Sequence, residues 1–152
     1  MSSHESRGSV MSVQLSAIAH ATEDTGKVEM AMLNTLPADL RDSTSISRQN
    51  LKGHHGNPIV VLTIRISKGK AVKGVVQNLF KMMIPNEKQE VNLDFENLLD
   101  ENGNFYVRLD KQEALKRKIK LATRDPIRIK MKAKMFRPTP NGVREIFKDL
   151  GM

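Results

Sequence analysis

Residues 127–136 read Ile-Arg-Ile-Lys-Met-Lys-Ala-Lys-Met-Phe. Apolar side chains at Ile127, Ile129, Met131, Ala133 and Met135 alternate with Arg128, Lys130, Lys132 and Lys134. Strict alternation predicts a β-strand with one buried face. The exposed face is then a row of cations, neighbours lying roughly 6.6 Å apart at about 3.3 Å per residue. Like charges at that spacing repel and gain the isolated strand nothing. A polyanion laid along the row relieves the repulsion, and a nucleic-acid backbone has the right shape. The wider charge map agrees. Residues 108–137 hold 12 Lys/Arg against 3 Asp/Glu, a net of +9, while the whole chain is +8. The remainder is therefore near neutral, and the basicity is local, as an electrostatic footprint for nucleic acid is.

Other groups with chemistry to offer are weaker. His54 and His55 lie between Gly53 and Gly56. Adjacent histidines do not readily share one metal, His20 would have to fold close, and no carboxylate is near in sequence. No metal site is expected; a loop histidine contacting phosphate, or solvating the turn, is the reading. Ser67-Lys-Gly-Lys-Ala71 joins a predicted strand to a predicted helix, which is P-loop topography without the Gly-x-x-x-x-Gly-Lys spacing. It reads as a lysine-rich helix start facing water, although free N–H groups there could hold a phosphate. Glu96, Asp100 and Glu101 lack a second cluster for Mg²⁺ and read as surface, and Asp110 as an ion pair with Arg108 or Lys111. No nucleophile–base constellation emerges, so neither catalysis nor a cofactor is expected.

Composition sets the bounds. The 152 residues suit one domain with a real core. The chain has no cysteine, which excludes disulfides, thiolate zinc sites, iron–sulfur clusters and cysteine nucleophiles. There is no apolar run of about 18 residues and no basic-then-apolar leader pattern, so a cytoplasmic location with no membrane partner is expected. Aromatics are only 4% of the chain. Tyr106 and Phe136 are available as stacking platforms, while Phe105 belongs to the core. Binding should therefore lean on phosphates and shape more than on base readout.

Residues 1–10 are polar and aperiodic and read as a disordered tail ahead of a domain over 11–152. Strands are predicted at 13–21, 43–51, 59–67, 105–109 and 127–136. Thr22-Glu-Asp24 starts a helix that Pro37 ends. Residues 70–84 form the clearest helix, with Val72, Val75, Val76, Leu79, Phe80 and Met83 on one stripe. A shorter acidic helix follows over 88–99. Thr139 caps a last helix over 140–150, with Pro140 in its first position. Residues 111–121 fit either a basic helix or a loop leading into a strand. Half-exposed strands between helices argue for an α+β fold: an antiparallel or mixed sheet with helices packed on one face.

Three segments carry a family resemblance. They are Ala19-His-Ala-Thr-Glu-Asp24, Gly53-His-His-Gly-Asn-Pro58 and Tyr106-Val-Arg-Leu-Asp-Lys111. Together, over residues 11–152, the chain resembles the small archaeal RNA-binding proteins described as predicted exosome subunits. The resemblance implies a fold similar to the ribosomal protein that binds 5S rRNA, and RNA as partner. By motif, it carries over Gly53, His54, Gly56, Asn57 and Pro58 in one loop, and Arg108, Asp110 and Lys111 in the other. The expected RNA-contacting set is Lys52, His54, Asn57, Arg108, Lys111, Arg128, Lys130, Lys132 and Lys134. The competing expectation is a scaffold subunit whose basic face docks an acidic protein.

Overall fold

Alternation and helical periodicity set most of the elements. In the computed structural model, which describes residues 8–152, they run in this order. Strand β1 (Ser9–Ala19) is followed by helices α1 (Thr25–Asn34) and α2 (Ala38–Arg41). Strands β2 (Ser47–Lys52) and β3 (Pro58–Ile66) form a hairpin. Three helices follow: α3 (Gly69–Met82), α4 (Pro85–Leu93) and α5 (Phe95–Leu98). Strand β4 (Asn104–Leu109), helix α6 (Lys111–Leu115), strand β5 (Ile127–Lys134) and helix α7 (Pro140–Asp149) complete the chain. The fold is α+β. All five strands pair antiparallel in the order β2-β3-β1-β5-β4, with β1 central.

One face of the sheet holds Val13, Leu15, Ala17 and Ala19 of β1, with Leu62 and Ile64 of β3. It also holds Phe105, Val107 and Leu109 of β4, and Ile127, Ile129, Met131 and Ala133 of β5. The helices cover this face. Helix α3 brings its buried stripe Val72, Val75, Val76, Leu79 and Phe80, and α7 brings Val143, Ile146 and Phe147. The ring of Phe105 lies 4.8 Å from the centroids of both Phe95 and Phe147, at the centre of the core. The caps match the sequence: the Asp24 side chain accepts from the Lys27 N–H, and Thr139 from the Gly142 N–H.

Several boundaries depart from expectation. Strand β1 starts at Ser9, so the last two residues of the expected tail belong to the sheet. Ser9 pairs with Lys134, and Val10 is buried opposite Ala133 because β1 runs the length of β5. Residues 1–7 lie outside the described residues. The acidic helix starts at Pro85 rather than 88 and is cut at Asp94 into α4 and α5; its apolar stripe spans both pieces and hides the break. Residues 111–121 are neither a full helix nor a strand. Helix α6 ends as Arg117 turns left-handed (φ 62°), and Leu121 then bridges Leu109.

Candidate nucleic-acid interface

Among the described residues no helix covers the opposite face of the sheet. Register fixes which side chains share it. One row crosses all five strands through Ser47, Thr63, Ser16, Arg128 and Arg108. The next holds Arg65, Gln14, Lys130 and Tyr106. A third holds Ser12, Lys132 and Asn104, and Lys134 stands beyond it. Arg65, Arg108, Arg128, Lys132 and Lys134 are exposed, and Lys130 is half-buried. None of these five strands contains an Asp or Glu.

Tyr106 is the aromatic member of this face. The Arg128 guanidinium lies over its ring, 5.2 Å from the centroid, a cation–π contact. The Tyr106 hydroxyl donates to Asp100 Oδ2 at 3.2 Å. Asp100 also accepts from the Asn102 and Asn104 backbone N–H groups and from Asn104 Nδ2, each at 2.9 Å. Far from being a plain surface carboxylate, it anchors the turn into β4. Burial pushes the Asp100 carboxyl up, but the hydrogen bonds from Asn104, Asn102 and Tyr106 outweigh it and hold it below its ordinary value. For Tyr106, burial and then the bond and charge of Asp100 raise the phenol.

The Gly-rich loop stands at another corner. Lys52, His54 and Asn57 are all exposed there. The Gly53 N–H donates to the Asn57 carbonyl at 2.6 Å, and a Cβ at Gly53 would meet Ile59 Cγ2 at 2.9 Å, so this position needs glycine. His55 and Gly56 both have positive φ, 62° and 77°, and the His54 and His55 rings meet edge to face at 4.0 Å. Strand β1 lies between this hairpin and β5, and the outer hairpin strand β2 is three strand spacings, about 14 Å, from β5. The two expected groups thus flank one sheet and do not form a single cluster.

Lys111 departs from its expected role. Its side chain is only 10% exposed. Its ammonium donates to the Ile18 carbonyl at 2.6 Å, Asp125 Oδ2 at 2.8 Å and Glu23 Oε1 at 3.1 Å. Three acceptors occupy it, so it ties β1, the turn before α1 and the turn before β5 together and leaves no donor for a phosphate. Asp110 is likewise no ion-pair partner in the expected sense: its side chain caps α6 at the Glu113 N–H, 2.9 Å away. His20 Nε2 meets Asp125 Oδ1 at 2.9 Å, which gathers His20, Glu23 and Asp125 into one cluster. That cluster has the ligand types of a cation site, but Lys111 already supplies the cation.

Burial raises the Asp125 carboxyl, but the hydrogen bonds and charges of Lys111 and His20 prevail and lower it. A depressed folded pKa means that Asp100 and Asp125 contribute stability fully above the unfolded carboxylate value of about 3.9, and lose it as pH falls through the folded values. Lys111→Gln should therefore lower stability at pH 7 by about 1–3 kcal/mol, the carboxylates being part-exposed, and lose less than the parent between pH 7 and pH 3. Thermal melts of both proteins at the two pH values check this; RNA affinity should hardly change.

Sequence reasoning overlooked Arg65. The alternation of Leu62 and Ile64 against Thr63 and Arg65 was visible, but only register shows that Arg65 shares a row with Lys130.

A row of cations on strands without acidic residues is an electrostatic footprint that suits a polyanion. A family model described as RNA binding matches residues 12–133, and the chain belongs to that family. It is 28% identical over 126 residues to RNA-binding protein PAB1135 of Pyrococcus abyssi, covering 82% of each chain. It is 31% identical over 130 residues to the uncharacterized protein MJ0213 of Methanocaldococcus jannaschii, covering 84% of this chain and 87% of the other. Among solved structures it is similar to protein AF2318 of Archaeoglobus fulgidus, with TM-score 0.81, 28% identity, and 93% of this chain and 99% of that one covered. Among the described residues no helix is long and apolar enough to cross a membrane.

Proposed function

We propose that this chain is a non-catalytic RNA-binding protein that grips the phosphate backbone with the helix-free face of its sheet. The observation that carries the reading is the six cations on that face, Arg65, Arg108, Arg128, Lys130, Lys132 and Lys134, on strands without one acidic residue. Phosphate contacts position a nucleic acid without reading its sequence, so sequence preference is weak. His54 and Asn57 extend the track at the hairpin corner, where Gly53 and Gly56 allow a backbone to come close, while Lys52, opposite Pro58, stands in the register on the side of Leu62. The name of the Pyrococcus abyssi relative supports RNA as the polyanion. RNA processing is the setting we assign, with the exosome as the assembly the family resemblance suggests.

Titration of labelled RNA at rising salt tests the reading. Log affinity should fall linearly and steeply with log salt between 50 and 200 mM, as counterion release requires. A flat response overturns it. A polyglutamate competitor that displaces RNA at equal charge would favour a basic face made for an acidic protein partner instead.

A further inference from the structure

Phe136 is 85% exposed, more than any other large apolar side chain among the described residues. It follows the cation row at once, two residues beyond Lys134. A phenyl ring left in water does nothing for the core. Yet the backbone holds it out in a defined way. Arg137 adopts a left-handed conformation, φ 53°, that a non-glycine residue takes only under constraint. Pro138 fixes the next φ and sits beside Gly103, within 3.6 Å of where a Cβ there would stand. The Arg137 guanidinium lies 5.1 Å from the Phe136 ring centroid. The chain thus ends its phosphate track on an aromatic ring with a cation over it.

We infer that Phe136 and Arg137 form a stacking platform for one unpaired base, so that the ligand is RNA with unpaired nucleotides and not continuous duplex. This rests on the RNA reading of the sheet face above. A backbone laid over Lys130, Lys132 and Lys134 delivers its next nucleotide at residue 136. Within a duplex both faces of each base are already stacked, and the ring has nothing to receive. An unpaired base can lie on it, and the nearby guanidinium adds its charge to the phosphate. Tyr106, the aromatic within the sheet face, is half-buried and its hydroxyl is tied to Asp100. Phe136 has no such tie to a neighbouring strand.

The experiment measures affinity for single-stranded oligouridylate and for a blunt RNA duplex of equal length, with the parent, Phe136→Ala and Phe136→Trp. The parent should prefer the single strand. Phe136→Ala should weaken single-strand binding about tenfold, or 1.4 kcal/mol, leave duplex binding and the salt slope unchanged, and melt like the parent. Phe136→Trp should retain the preference. Unchanged single-strand affinity in Phe136→Ala, or an equal loss for both RNAs, overturns the platform while leaving the phosphate track intact. A parent that binds neither RNA overturns the reading of the whole face, and the platform with it.

Discussion

Replacing Arg128, Lys130, Lys132 and Lys134 together by Gln is expected to remove most RNA binding from a protein that still folds. The four side chains stand on the open face, while Ile127, Ile129, Met131 and Ala133 of the same strand stay in the core. The substitution therefore leaves the buried pattern of β5 untouched. Arg128 directly opposes Arg108 in the register, so its loss also removes a like-charge pair, which gains the fold a few tenths of a kcal/mol. Each phosphate that is no longer neutralised should reduce the salt slope by roughly 0.7–0.9, so the quadruple variant should lose about three units of slope. Binding isotherms at several salt concentrations, with a thermal melt as the folding control, give the answer. A folded variant that binds as tightly as the parent would reduce the row to a solvated face.

The largest loss of stability should come from Phe105→Ala. Phe105 is fully buried on β4, and its ring packs against Phe95 on α5 and Phe147 on α7. Truncation opens a void where three elements meet, and aromatic-to-alanine changes in such cores cost about 3–5 kcal/mol. For a chain of this size that is a fall in melting temperature of roughly 10–15 °C. Denaturant unfolding should show a lower midpoint with an unchanged slope. A loss below about 1 kcal/mol would mean that the aromatic cluster can collapse around the gap.

What the sequence showed, it showed through local pattern. The alternation expected as a strand over 127–136 is one from Ile127 to Lys134, the stripe of Val72 to Phe80 is a helix, and Thr139 caps the last helix. What stayed hidden depends on partners far along the chain. Nothing local says that β1 lies between β3 and β5, so the row joining Arg65, Lys130 and Tyr106 could not be assembled from sequence. Lys111 read as an RNA contact or a partner of Asp110 because Ile18, Glu23 and Asp125 reach it only in the fold. Asp100 read as surface because its tie to Tyr106 spans the turn at Gly103. The break at Asp94 was masked by an apolar stripe that continues through it.

The central place of β1 has a kinetic meaning. Val13 pairs on one side with Ile66 and on the other with Met131. During synthesis the first strand can join β3 early, but its second edge stays open until the far end of the chain has emerged. At 5–20 residues per second that wait lasts roughly 6–25 s. Throughout it, the nascent protein exposes a strand edge that another chain could pair with. Assembly of the RNA-binding face is therefore among the last events of folding, because the strand that carries most of its charge is the one that closes the sheet.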